Sequence, residues 1–245
     1  MDQNPFRRRV YAHYVSVSPA LGESEARTLL IMRAPYMRRL IRRHFPADRN
    51  AKIIDLGCGP GTILHFAREM GYANIEGIDC APEQVATAHH LGITGVHLGH
   101  IIPTINALPS ESVDTIVTFD VIEHLCCDEL ATVVDGVHRV VKAGGRWIIH
   151  VPNGEALFGA RMRYWDVTHE MAYTRNSMSQ VLRSSGWKSV ECFEDTPPIH
   201  GAKSLLRAVL WRGLRICLIF TLAVEGGDPD WNAILSQNLL AVAYK

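Results

Sequence analysis

From Ala51 onward, short apolar runs alternate with stretches in which hydrophobic positions recur every three or four residues. That is the pattern of strands buried on both faces with amphipathic helices between them. The expected strands cover residues 51–57, 73–79, 94–99, 113–120, 145–151, 188–195 and 235–245, and the expected helices residues 62–70, 82–91, 126–141 and 175–185. Strand-helix alternation of this kind implies an α/β class and a doubly wound, seven-stranded, mostly parallel sheet. Three pieces fall outside it: the segment before Pro46, the stretch 153–173 and the stretch 196–234. The expected organisation is therefore an N-terminal helical lid over residues 1–46 and a main domain over 47–245, with a helical insertion at about 197–230.

Charge changes this picture only locally. Lysine plus arginine and aspartate plus glutamate both number 25, so no overall field holds the chain on nucleic acid, and a DNA partner is not expected. Before Pro46, however, nine arginines (Arg7, Arg8, Arg9, Arg27, Arg33, Arg38, Arg39, Arg42, Arg43) face three acids (Asp2, Glu23, Glu25). Such a basic segment suits a phosphate-bearing ligand or, equally, a solvated helix face. The six cysteines form no C-x-x-C pair, which points to reduced thiols and a cytoplasmic setting. The start MDQNPFRRR has no apolar stretch behind its charges and does not read as a secretory signal.

Candidate chemistry begins at residues 53–61, IIDLGCGPG, an apolar strand running into Gly57, Gly59 and Gly61 ahead of a helix. Glycines there let the backbone turn tightly and approach a ligand closely. A dinucleotide fingerprint wants glycine or alanine five positions after Gly57, but Thr62 stands there, and Pro60 lacks an N–H donor. Asp55, two residues before the first glycine, can face a cationic group. Asp79 ends the second strand, where a carboxylate accepts hydrogen bonds from a ribose diol. A nucleoside bearing an amino acid meets both requirements.

A second constellation is FDVIEHL, which places Asp120, Glu123 and His124 at offsets 0, +3 and +4, one face of a helix if the segment coils. Further on, YWDVTHEMAYTR supplies Asp166, His169 and Glu170. An Asx-turn around Thr168 competes with any chemical role for Asp166.

Together the strings DLGCGPG, the acid ending the second strand, FDVIEHL and VVKAGGRWIIHVPN resemble class I S-adenosylmethionine-dependent methyltransferases, over about residues 51–187. The resemblance implies a Rossmann-like sheet with an N-terminal helical cap, and cofactor contacts at Asp55, Gly57, Cys58, Gly59, Gly61, Asp79, Cys80 and Asp120. It sets the adenine beside the residues after the third strand. An Asp often follows the glycine there, but this chain has Gly99-His100 and runs on through Asn106, Ala107 and Leu108, with Ala107 the expected contact. The E-H pair with a later D-x-x-H resembles the metal-assisted O-methyltransferases of ubiquinone biosynthesis and of the 3′-terminal ribose of small RNAs. A hydroxyl is a poor nucleophile at neutral pH, so either a His base (His124 or His169) or a divalent metal, Mg²⁺ or Mn²⁺, has to activate it. The candidate ligands are Asp120, Glu123, His124 and His169, a set that suits Mg²⁺ less than Mn²⁺, Fe²⁺ or Zn²⁺. Tyr11, Tyr14, Tyr36, Tyr164 and Trp165 are candidate acceptor walls, or core.

The stretch 203–227 sets Lys203, Arg207, Arg212 and Arg215 ahead of an apolar run too short to cross a bilayer. With Trp211 it fits peripheral association at the inner membrane through residues 203–224, or a helix packing on the core or on a second subunit in a homodimer. A D-x-T-H-E segment and a similar tail resemble methyltransferases of bacterial glycan biosynthesis, which implies a sugar or glycan acceptor. A quinone or phenolic acceptor, and a non-catalytic cofactor-binding module, are the alternatives. RNA is disfavoured by the balanced charge.

Overall fold

A computed structural model describes residues 5–13, 23–196 and 198–245. Helices α1 (Pro5–Ala12) and α2 (Glu23–His44) precede a sheet in which β1 (Ile53–Leu56), β2 (Ile75–Asp79), β3 (Val96–Leu98), β4 (Val113–Phe119) and β5 (Val141–Pro152) alternate with α3 (Thr62–Glu69), α4 (Pro82–His90), α5 (Ile101–Ala107) and α6 (Cys127–Val140). Then follow α7 (Gly159–Arg163), α8 (Arg175–Ser184), β6 (Ser189–Glu194), α9 (Ala202–Gly226) and β7 (Asn238–Tyr244). The sheet order is β3-β2-β1-β4-β5-β7-β6, with β7 antiparallel to both its neighbours. The seven-stranded, mostly parallel, doubly wound expectation holds.

Chain order reverses between β1 and β4, and the crevice beyond their carboxyl ends is where ligands sit in such sheets. All four residues of β1 are buried, and their alternation divides them between two apolar layers. Ile54 and Leu56 join α6 through Val133 and Val137, while Ile53 joins α3 through Leu64 and α2 through Met37 and Ile41. The second half of α2 is therefore core, sharing a cluster with β1 and β7, and only α1 stands apart from it.

Two helices were not expected from the pattern. Helix α5 carries Pro103 in its first turn, where the missing N–H has no intrahelical partner to lose, so a proline that reads as a breaker is tolerated. Helix α7 has five residues, too few to display a period. Helix α6 starts as expected, through a capping box in which Cys126 N–H donates to Glu129 at 3.0 Å.

Candidate active site

The loop after β1 owes its shape to backbone conformations that favour glycine. Gly57 and Gly59 sit at φ 76° and 53°. A Cβ on Gly57 would come within 2.4 Å of the Val121 side chain. Gly61, at φ 78°, faces away from the crevice and packs against Ile93 and Val96, where a Cβ would meet methyl groups at 2.8 and 2.9 Å. Expected as a cofactor contact, Gly61 is instead required for helix–strand packing. Cys58 and Cys80 line the crevice; burial pushes the Cys58 thiol far above its ordinary range, so it stays neutral.

Asp79 is held from below. One carboxylate oxygen accepts from Gly59 N–H and the other from Ala81 N–H, both at 2.8 Å. A second lone pair on each oxygen remains for a vicinal diol. Asp55 is buried with neither oxygen hydrogen-bonded among the described residues, and desolvation together with the Asp79 charge lifts it to about 8. A buried carboxyl without partners is costly unless protonated or met by a cation. These residues line a cavity of about 900 Å³ whose far side is formed by the start of α5 and the turn after β4.

Ala107 does not reach that cavity. The chain coils from Ile101, carrying Ala107 to the exposed far end of α5, and Gly99, His100, Ile101 and Ile102 line the wall instead.

After β4 the chain turns on Asp120, which takes a left-handed φ of 56° and so breaks the expected helical face. A 3₁₀ turn, Ile122–His124, follows. The Asp120 carboxylate lines the cavity but is bound to His150 Nδ1 at 2.6 Å, with Asp195 on His150 Nε2 at 3.1 Å. Burial alone would lower the imidazole; the two carboxylates outweigh it and raise His150 to about 10. Phe119 stacks on the ring at 3.9 Å. Asp120 is thus committed to an imidazolium rather than to the expected metal set.

Glu123, His124 and His169 do converge. Glu123 O accepts from Glu170 N–H at 2.7 Å and Met171 N–H at 3.2 Å, which ties the 166–171 segment to the turn. Their ligand atoms lie within 4.8 Å of one another, and bonds of about 2.0–2.2 Å to a tetrahedral divalent ion would draw them in to roughly 3.3–3.6 Å. Thr168 donates its backbone N–H and its hydroxyl to Asp166 Oδ1, at 2.8 and 2.7 Å. With that proton committed, its oxygen accepts Nδ1–H of His124 at 2.8 Å, leaving Nε2 of His124 a lone pair. Nδ1 of His169 lies 3.1 Å from the Met162 carbonyl, which can only accept, so Nε2 is the lone pair there too. Burial and the neighbouring His169 hold His124 down to about 4, neutral at physiological pH. Both oxygens of Glu123 are buried without a hydrogen-bond partner among the described residues, and burial followed by the Asp120 charge pushes its carboxyl well above the carboxylate range. This donor set fits a divalent cation, with Thr168–Asp166 and the Met162 carbonyl fixing the two rings from behind.

Helix α1 closes over this turn. Arg7, buried, donates to the His124 carbonyl and to Glu129, each at 2.5 Å, and Tyr11 lines the cavity with its ring edge-on to His124. Tyr14 lies outside the described residues. Tyr36 sits behind the site against Phe119 and His150, whereas Tyr164 and Trp165 are exposed to solvent and are not cavity walls. Sequence reasoning missed His150, Asp195, Arg7 and the linking role of Thr168; a lone histidine in the apolar strand β5 was the one available signal.

Residues 54–149 match a family model described as a methyltransferase domain. A 37.1 kDa protein in transposon TN4556 of Streptomyces fradiae is 32% identical over 139 residues, 54% of this chain and 38% of that protein. A malonyl-[acyl-carrier protein] O-methyltransferase of Enterobacter lignolyticus is 27% identical over 100 residues, 41% of this chain and 38% of that protein. The matches thus span well under half the length of these relatives. Among solved structures, a SAM-dependent methyltransferase from Archaeoglobus fulgidus superposes with TM-score 0.62 at 17% identity, covering 99% of this chain and 100% of that one. A Haemonchus contortus phosphoethanolamine N-methyltransferase 2 in complex with S-adenosyl-L-methionine gives 0.62 at 14%, covering 96% of this chain and 60% of that one. At such identities the likeness is one of fold.

Proposed function

We propose, for a chain whose residues 54–149 are a methyltransferase domain within a class I S-adenosylmethionine-dependent methyltransferase fold, that it methylates a hydroxyl group of a sugar or glycan unit in the cytoplasm. The observation that carries this reading is that a glycine-and-carboxylate floor and an oriented neutral imidazole line one cavity. S-adenosylmethionine is the cofactor; when bound it would supply a sulfonium methyl open to in-line attack by the acceptor oxygen, with S-adenosylhomocysteine as the leaving group. Asp79 holds the ribose diol, Asp55 meets the ammonium group, and Gly57 and Gly59 let the backbone approach the methionyl end. His124 Nε2 takes the acceptor hydroxyl proton, while Thr168 and Asp166 keep the ring in the productive tautomer. Helix α1 acts as the lid, with Arg7 latching it onto the turn that bears the base.

A second reading, in which Glu123, His124 and His169 would hold a divalent ion that would lower the hydroxyl pKa, is favoured by the buried Glu123 carboxyl, which has no hydrogen-bond partner among the described residues. Calorimetric titration with S-adenosylhomocysteine, with and without Mn²⁺, followed by an acceptor screen from nucleotide sugars to phenols, tests both. Cofactor binding and transfer to a sugar hydroxyl are expected. Transfer to phenols alone replaces the acceptor class, and turnover abolished by a chelator selects the metal. Binding without turnover on any acceptor leaves a cofactor-binding module.

A further inference from the structure

Helix α9 is apolar on its inner side and again on its outer side. Its inner side carries Trp211, Leu218 and Ile219, packed toward Ala233 and Leu235, and Arg215, which bonds Glu194 at 3.0 Å and the carbonyls of Trp231 and Ala233. Trp211, expected as an interfacial anchor, therefore faces the protein. The outer side presents Leu206, Val209, Leu210, Ile216, Phe220 and Val224, all more than half exposed. A solvated helix puts polar residues there. Lys203, Arg207 and Arg212 flank this apolar face, all exposed, and no carboxylate occurs from Lys203 to Val224.

No described helix is long and apolar enough to cross a membrane, but α9 has 25 residues, ~37 Å, enough to lie along one. We propose that its outer face docks this protein on an anionic lipid surface, with the apolar side chains among the acyl chains and the basic flanks at the headgroups. Charge decides between this occupant and a second copy of the chain. Each copy of α9 sets three exposed cations against a single acid, Glu225 at its far end, so apposing two copies leaves the basic flanks mostly unpaired, whereas anionic headgroups supply the missing charge.

The placement supports the same reading. β5 and β6 both run antiparallel to β7 and hence parallel to each other, so α9 leaves the sheet at the carboxyl edge, the edge that holds the cavity. The connection that leaves the same edge after β5 exposes Phe158 and Trp165, and Trp231 is exposed just after α9. Large aromatic side chains of this kind gather at membrane interfaces. Docking would turn the mouth of the cavity toward the bilayer and suit an acceptor carried on a lipid. That last step rests on the proposed methyl transfer; the surface itself does not.

The test is co-sedimentation of the full chain with vesicles of phosphatidylcholine alone and of phosphatidylcholine mixed with phosphatidylglycerol, alongside light scattering without lipid. Binding is expected to the mixed vesicles and to weaken with salt. Phe220→Glu, and separately the pair Arg207→Gln with Arg212→Gln, should each reduce partitioning ~tenfold or more while leaving the circular dichroism spectrum and S-adenosylhomocysteine binding unchanged. The charge pair keeps the test decisive should Phe220→Glu fail to fold. Equal binding to both vesicle types, no binding to either, insensitivity to both changes, or a dimer that Phe220→Glu dissociates would each overturn the proposal.

Discussion

The two halves of the cavity are made of different material. On the β1–β2 side the ligand surface is backbone: positive-φ glycines, and N–H groups of Gly59 and Ala81 that pin Asp79. On the β4–β5 side it is side chains held by partners far off in the chain: His124 by Thr168, Asp120 by His150, Arg7 by Glu129. A backbone surface is specified by a short continuous string, so it resists substitution and shows in the sequence. A side-chain surface is specified by tertiary contacts, so it can be altered one function at a time.

The sharpest break of that contrast is Gly57→Ala. With φ positive and Val121 2.4 Å from the new Cβ, S-adenosylhomocysteine binding should fall by ~100-fold or more, read by calorimetry on protein whose circular dichroism is unchanged. Near-normal binding would mean that the floor is not a backbone device. On the other side, His124→Ala should cut methyl transfer by ~10²–10⁴-fold while cofactor affinity stays within a factor of ~3; equal losses of both would erase the distinction. Thr168→Val keeps the ring but removes its acceptor, and a loss of ~10-fold in kcat with a displaced pH profile is expected.

Glu123 separates the halves by stability. Its carboxyl is raised in the folded chain, so the fold holds a proton that the unfolded chain releases, and stability falls as pH rises above about 4.5. Glu123→Gln should therefore melt higher than wild type at pH 8 and lose any rise in melting temperature on adding Mn²⁺. An unchanged response to Mn²⁺ would remove Glu123 from the ligand set. The smallest effect belongs to Asp55. Raised to about 8, it is mostly protonated at pH 7, and ionising it against the cofactor ammonium should release close to one proton per site. Calorimetry in buffers of different ionisation enthalpy reads this directly, with affinity rising with pH up to about 8; no proton release would show that Asp55 meets no cation.

The same division explains what could be read from the chain. The strands stood out as apolar runs, and Asp55, Gly57, Gly59 and Asp79 stood out because one string and one strand end carry them. Helix α5 hid behind Pro103, and with it the displacement of Ala107. Asp120, Glu123 and His124 were legible as a cluster, but the left-handed turn at Asp120 dispersed the helical face that their offsets suggested. The partner of Asp120, His150, lies 30 residues on and is recorded in no local pattern.

β6 and β7 are antiparallel neighbours that a tight turn could join, yet residues 195–237 run between them, with α9 inside. Lengthening such a connection costs folding little, since each doubling of a flexible loop adds only ~0.6 kcal/mol. The excursion begins and ends on the sheet rim, and none of its described residues lines the cavity. Selection can therefore rewrite this outer surface without renegotiating the crevice, and related chains should diverge here sooner than anywhere in the crevice.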